Sequence, residues 1–270
     1  MMPSMPLPRI QLFELNDSPW VPRPLRDTIV ETLSRTLDWG RMLEGLVAPF
    51  ETFLAATGAA EVLDLCSGAA GPARILTTAI TRAGRRPPRF VLTDLHPQLD
   101  AWAAAQAAHP AVFGFERAPV DATRVPPALG RGRARVVINA LHHFPPDLAR
   151  GILTDAAAGS AGILVAEGFE RNPLRFVPFA PAGLAALAAN PLLTARDRAA
   201  KALITWCSPV ALLASMWDGL VSTLRVYSEA ELRELVAALD RFVWTYGTFG
   251  FTAGGRGYYF YGVPRGLRGT

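Results

Sequence analysis

Leu63-Asp64-Leu65-Cys66-Ser67-Gly68-Ala69-Ala70-Gly71-Pro72 carries an apolar strand into a loop of small residues and on into a helix start. Gly68 and Gly71 let backbone come close to a ligand, and Pro72 suits a first helical position. Asp64 sets the charge of what the loop holds, because a carboxylate at a strand end repels phosphate and attracts a sulfonium or an ammonium. A second carboxylate closes the following strand at Thr93-Asp94, and its two oxygens suit a pair of neighbouring ribose hydroxyls. The dinucleotide pattern G-x-G-x-x-G, with an acid about 20 residues on, is absent.

A third group of reactive side chains lies in Asn139-Ala140-Leu141-His142-His143-Phe144, which leaves the fourth strand. Histidine takes up or releases a proton near neutral pH, so His142 and His143 are candidates for a general base or a substrate orienter. The alternative is that they cap the next helix or bond backbone in the pocket. Glu167 ends the fifth strand, as a base, a substrate ligand or an ordinary charged rim residue. No metal is expected, since adjacent side chains leaving a strand point apart and no cluster of carboxylates completes a ligand set.

Residues 64–71 resemble motif I of the class I S-adenosylmethionine (SAM)-dependent methyltransferases, D/E-x-G-x-G-x-G, and depart from it at Cys66 and Ala70. The histidine segment resembles that family's motif IV as small-molecule methyltransferases carry it. The resemblance implies that Asp64, Cys66, Ser67, Gly68 and Gly71 surround SAM, or its product S-adenosylhomocysteine (SAH). It places Asp94 on the ribose, Leu95 beside the adenine or ribose, Asp121 and Ala122 on the adenine, and Asn139 in the pocket wall. It makes His143, His142 and Glu167 the catalytic candidates. The Asn/Asp-Pro-Pro-Tyr/Phe loop of nucleic-acid amino methylation is missing, so no nucleic-acid substrate is implied.

The elements that must position these groups follow from periodicity. Val62 to Leu65, Phe90 to Thr93, Phe113 to Val120, Arg135 to Ile138 and Ile163 to Ala166 read as strands, alternating with helices over Ala73 to Ala83, Pro97 to Ala108 and Asp147 to Ala158. Two helices precede them, the first marked by Leu25, Ile29, Leu33 and Leu37, the second kinked at Pro49 and ended at Gly58. Ser228-Glu229-Ala230-Glu231 is a capping box for a last helix, and Phe242 to Phe249 with Tyr258 to Val263 form a closing hairpin. The expected fold is α/β: a seven-stranded, mostly parallel, doubly wound sheet with a C-terminal antiparallel hairpin, N-terminal helices and a helical insertion after strand 5. One domain is expected over 1–270, with a helical cap at 1–60, a SAM-binding core at 61–170, a lid or substrate insertion at 171–227, and the last helix and hairpin at 228–270.

The insertion should report the substrate. It is apolar and proline-punctuated, and it ends in the polar group Trp217-Asp218, Ser222 and Arg225, where Asp218 and Arg225 either pair with each other or close over ligands. Trp20, Phe176, Trp217, Asp218 and Arg225 are the substrate candidates, with Asn16, Asp17 and Arg26 behind them. The chain has 270 residues, 50% of them hydrophobic, a net charge of +4 with arginines scattered, and two cysteines far apart. These features speak against a nucleic-acid surface and a disulfide framework and fit a cytoplasmic enzyme acting on a hydrophobic small molecule. Two other readings stay open, a SAM-binding scaffold or cyclisation catalyst without methyl transfer, and a peripheral protein in weak contact with a membrane surface. The oligomeric state is not legible.

Overall fold

The computed structural model describes residues 8–172, 177–178, 180–251 and 255–266. In chain order the helices are α1 Arg23–Trp39, α2 Val47–Thr57, α3 Gly71–Arg82, α4 Leu99–Ala108, α5 Pro127–Gly130, α6 Pro146–Gly159, α7 Ala180–Leu193, α8 Arg198–Trp206, α9 Val210–Arg225 and α10 Glu229–Leu235. The strands are β1 Glu61–Asp64, β2 Arg89–Leu92, β3 Phe113–Phe115, β4 Ala134–Ile138, β5 Gly162–Glu167, β6 Phe242–Gly250 and β7 Arg256–Pro264. The described residues fall into two compact units. One lies within Met1–Met42, Phe169–Tyr227 and Gly250–Arg256; the other lies within Leu43–Gly168, Ser228–Phe249 and Gly257–Thr270.

The larger unit is built on the sheet, ordered β3-β2-β1-β4-β5-β7-β6. β1 to β5 run parallel, and β7 returns antiparallel to β5, with Glu167 opposite Tyr258. Every residue of β4 and β5 is buried, as expected of strands covered on both faces. The aromatic residues of the last two strands stack in register, Trp244 on Phe260 and Tyr246 on Tyr258. α2 lies so close to β5 that a Cβ at Gly162 would meet the Thr57 methyl at 2.7 Å, which fixes glycine there. Because the chain leaves β1 in one direction for β2 and β3 and in the other for β4 and β5, the carboxyl ends of β1 and β4 flank a crevice, the place where open α/β sheets take ligands.

Three expectations are corrected. Pro49 sits in the first turn of α2, where its missing N–H is no loss, so it kinks nothing. The third strand is only Phe113–Phe115, because Pro119 and the turn at Asp121 end the pairing early. Leu33 is exposed on α1, whose buried face carries Thr28, Thr32 and Thr36 with Ile29 and Leu37. The capping box is present at Ser228 and Glu231, on a helix of seven residues.

The smaller unit is helical, with α1, α7, α8 and α9 packed together. Its interior is polar in an unusual degree. Lys201, the only lysine of the chain, is completely buried, with its ammonium 2.8 Å from Glu31 and 2.6 Å from the Thr194 hydroxyl. Asn190 donates to the second oxygen of Glu31 at 3.0 Å, so one carboxylate ties α1, α7 and α8. Lys201 is the one buried residue of α8. Among the described residues no single helix is long and apolar enough to cross a membrane.

Candidate functional site

Asp64, at the end of β1, is buried, and its main-chain oxygen accepts from Thr93 N–H at 2.9 Å, the Thr93 hydroxyl at 2.8 Å and the Ser67 hydroxyl at 2.9 Å. These bonds stitch the end of β1 to the end of β2 and hold the loop that follows. The loop backbone is left-handed at three alternate positions, Cys66 (φ 58°), Gly68 (φ 49°) and Ala70 (φ 64°). They are the positions at which the D/E-x-G-x-G-x-G pattern has glycine, so the path of the loop is kept where two of the glycines are not. The space beside Gly68 is open, with nothing within 4 Å of where a Cβ would stand. Trp102 of α4, buried and not singled out by the sequence, donates its indole N–H to the Gly68 carbonyl at 2.8 Å and holds the loop from below.

Asp94 accepts from Gly68 N–H at 2.9 Å through one oxygen and from His96 N–H at 2.8 Å through the other. Each oxygen keeps a further lone pair for a hydroxyl. Val120 N–H bonds the Asp94 carbonyl at 2.9 Å, bringing the loop after β3 alongside, with Asp121 exposed and Ala122 buried. Both bonds from Thr123, hydroxyl at 2.7 Å and N–H at 2.8 Å, fall on Oδ1 of Asp121 and hold its carboxyl below the usual carboxylate range. Leu95 and His96 are exposed beyond Asp94.

Three carboxylates therefore surround one loop, and the ionisation of the groups inside it registers them. Burial pushes the Asp64 carboxyl up to about 7, with the Ser67 hydroxyl opposing and the Asp94 charge adding to the shift. The Cys66 thiol is pushed far above its ordinary range by burial and then by Asp94, Asp64 and Asp121, so it is a neutral thiol and no nucleophile. The basin is electronegative and suits a cation, not a phosphate.

The end of β4 supplies the second half of this site. Asn139 is left-handed (φ 53°), accepts from Gly168 N–H at 2.6 Å, and has its side-chain N–H2 group buried without a partner. Leu141–His143 form a single 3-10 turn. That turn brings the two imidazoles together, ring centroids 4.2 Å apart, where side chains leaving an extended strand would have diverged. Glu167 is fully buried and is no rim residue: one oxygen takes His142 N–H at 3.1 Å and the other lies 2.9 Å from His142 Nδ1. An ionised carboxylate only accepts, so Nδ1 is the donor of that contact. His142 is buried and His143 half-buried.

Against this geometry stand the comparisons with known proteins. No protein-family model matches the chain and no curated protein does. Among solved structures, the plantazolicin methyltransferase BpumL, in complex with SAH, is similar over 93% of this chain and 94% of its own, at 10% identity and a TM-score of 0.56. The fold is that of the class I methyltransferases. A putative O-methyltransferase from Nostoc punctiforme is similar over 93% of this chain and 63% of its own, at 16% identity and a TM-score of 0.50. On the methyltransferase fold, Asp64, Cys66, Ser67, Gly68, Gly71, Asp94, Leu95, Asp121, Ala122, Asn139, His142, His143 and Glu167 all lie at the carboxyl ends of β1 to β5 or in the loops that leave them.

The substrate candidates other than Phe176, which lies outside the described residues, belong to the helical unit. Asp218 and Arg225 do not pair with each other. Asp218 is buried, takes the N–H groups of Leu15 (2.7 Å) and Asn16 (2.9 Å), and has its pKa raised by burial, with Glu14 and Asp17 adding to the shift. Arg225 meets Glu14 at 3.2 Å and Asp17 at 3.5 Å and donates to the Leu12 carbonyl. The irregular N-terminal stretch is thus clamped along α9, because seven residues of helix hold the two side chains apart and each finds nearer partners. Trp217 donates to the Phe13 carbonyl at 3.1 Å, and the Phe13 ring touches both Trp217 and the highly exposed Trp20.

Proposed function

We propose that this chain binds SAM at the carboxyl ends of β1 to β4 and transfers its methyl group to an oxygen or nitrogen of a hydrophobic small molecule. The observation that carries the reading is the convergence of Asp64, Asp94 and Asp121 on the left-handed loop 66–70, an anionic, sterically open cradle. Asp94 would take the ribose hydroxyls, Asp121 and the Ala122 N–H the adenine edge, and Asp64 the cationic end. The orphaned side-chain donor of Asn139, at the end of the neighbouring strand β4 in the same crevice, fits a ligand carboxylate or carbonyl. When bound, SAM supplies a methyl group on a sulfonium that leaves as a neutral thioether.

The chain's own contribution is alignment and proton acceptance. Glu167 holds the His142 imidazole by two bonds and fixes its tautomer, so it is a positioning residue. Nε2 of His142 then faces away from the carboxylate as the basic atom, with the more open His143 ring packed beside it. A hydroxyl or amine acceptor gives its proton to this pair as the methyl arrives. Trp20, Trp217, Asp218 and Arg225 are proposed as substrate-binding residues, with the two indole rings as the apolar contact.

Calorimetric titration with SAM, SAH and NADH tests the reading. Binding of both sulfur ligands but not NADH, weakened by Asp94→Ala, supports it and opens a screen of apolar hydroxyl and amine acceptors. Failure of both sulfur ligands to bind overturns it.

A further inference from the structure

Two consecutive helices of the smaller unit are turned inside out. α8 buries its lysine and exposes Leu203 (62%) and Trp206 (53%). α9 buries Val221 but otherwise Ala211, Ala214, Asp218, Ser222, Thr223 and Arg225, and exposes Leu213 (60%) and Met216 (62%) with Val210 and Leu220. A helix that packs its apolar stripe on a water-soluble core does the reverse. The buried charges are paired, Lys201 with Glu31 and Thr194, while Asp218 and Arg225 clamp the N-terminal stretch, so several side chains and not one share the arrangement.

The two helices meet at 82° around Pro209. Leu203 and Trp206 stand in the last turn of one, and Val210 and Leu213 in the first turn of the other, so the exposed apolar groups gather at an elbow. Trp206, Cys207, Pro209 and Val210 are all exposed, which marks the elbow as a protruding corner. The Trp206 indole N–H is already bonded to the Ala188 carbonyl at 3.0 Å, leaving the ring an apolar surface. No acidic residue occurs between Asp197 and Asp218, while Arg196 and Arg198 flank Asp197 at the start of α8, all three exposed, and Arg198 also donates to the Thr194 and Leu192 carbonyls.

We propose that the α8–α9 elbow is a monotopic anchor that dips into the interface of an anionic lipid bilayer. Leu203, Trp206, Val210 and Leu213 enter the headgroup and acyl boundary, and Arg196 and Arg198 meet the headgroups. A convex apolar corner with a basic flank fits a yielding lipid surface, to which binding strength follows buried apolar area and attraction to anionic lipid. The proposal is independent of the cofactor reading, which neither contributes to it nor falls with it.

The test is co-sedimentation of the purified full chain with vesicles of phosphatidylcholine and phosphatidylglycerol (3:1) and of phosphatidylcholine alone, beside the variant Leu203→Glu/Leu213→Glu. Both positions are exposed, and matching circular dichroism and melting curves establish that the variant is folded. Light scattering without lipid gives the oligomeric state of each. The expected result is a monomer that pellets with the anionic vesicles, several-fold less with the neutral ones, and about tenfold less or lower still in the double variant. A wild-type chain that stays in the supernatant with anionic vesicles overturns the proposal. So does a dimer that the double variant disperses, which would assign the elbow to a second copy, and so does equal pelleting with neutral vesicles, which would remove the arginines' role.

Discussion

Replacing Asp64 by asparagine should separate the stability of the larger unit from its affinity for a cation. In the folded chain burial raises this carboxyl from its ordinary 3.8 to about 7. The folded state therefore keeps a proton that the unfolded state gives up. Stability from this group is fully present below about pH 4, declines as pH rises, and is gone above about pH 7. At 1.36 kcal/mol per tenfold, the ionised carboxylate costs the ligand-free protein up to about 4 kcal/mol at pH 8. Asparagine has nearly the same shape and no charge, so Asp64→Asn should leave the melting temperature near wild type only at about pH 4 and below. It should raise it progressively up to pH 8, by roughly 2–4 °C per kcal/mol in a chain of this size. A cationic ligand reverses the order. With SAM at the same concentration at pH 8 the wild type gains the favourable charge pair and is stabilised more than the variant. The wild-type affinity should rise about tenfold per pH unit toward pH 7 and then level off. Melting curves at pH 5, 6, 7 and 8, with and without SAM, measure all of this. If Asp64→Asn is destabilising by the same amount at every pH, or gains stability from SAM as the wild type does, the reasoning about the buried carboxylate is refuted.

Other perturbations read other parts of the molecule. Asp94→Ala removes the carboxylate proposed to accept from the two ribose hydroxyls, and calorimetry should find SAH binding weakened by about 1.5–3 kcal/mol, or ten- to a hundredfold. His142→Ala is expected to lower the turnover of a methyl acceptor by about a hundredfold or more while leaving SAM affinity unchanged. Glu167→Gln should do so less severely and move the pH profile, and an unchanged profile would remove Glu167 as the positioning residue. Lys201→Ala takes the buried ammonium from Glu31, which keeps Asn190 and Thr194, and should cost about 1–3 kcal/mol in a urea melt. Ala70→Gly relieves a left-handed alanine that costs about 1 kcal/mol, so its melting temperature should be equal to wild type or higher.

The strand ends were legible because each apolar run stops at a polar residue, Asp64, Thr93-Asp94, Asn139 or Glu167, and a parallel sheet lines such residues along one edge. The loop conformation was legible even through its departures, since Cys66 and Ala70 adopt the backbone that glycine would have adopted more cheaply. What escaped is contact at long range. Trp102 lies 34 residues from the carbonyl it bonds and Glu167 25 from His142, and neither spacing has a local signature. The supposed Asp218–Arg225 pair failed for the same reason, because their true partners are some 200 residues away. The faces of α8 and α9 were not legible, because apolar residues at helical spacing suit a substrate chamber, a helix contact or a membrane surface alike, and it is the burial of Lys201, Asp218 and Arg225 that turns Trp206, Leu213 and Met216 outward.

Lys201 has a practical consequence. It is the chain's only side-chain amine and it is sealed within the helical unit. Amine-directed reagents such as succinimidyl esters would find no side-chain target on the native surface, so labelling at Lys201 would clock the opening of that unit. The residue makes the wild-type protein its own probe of local unfolding, with no engineered reporter required.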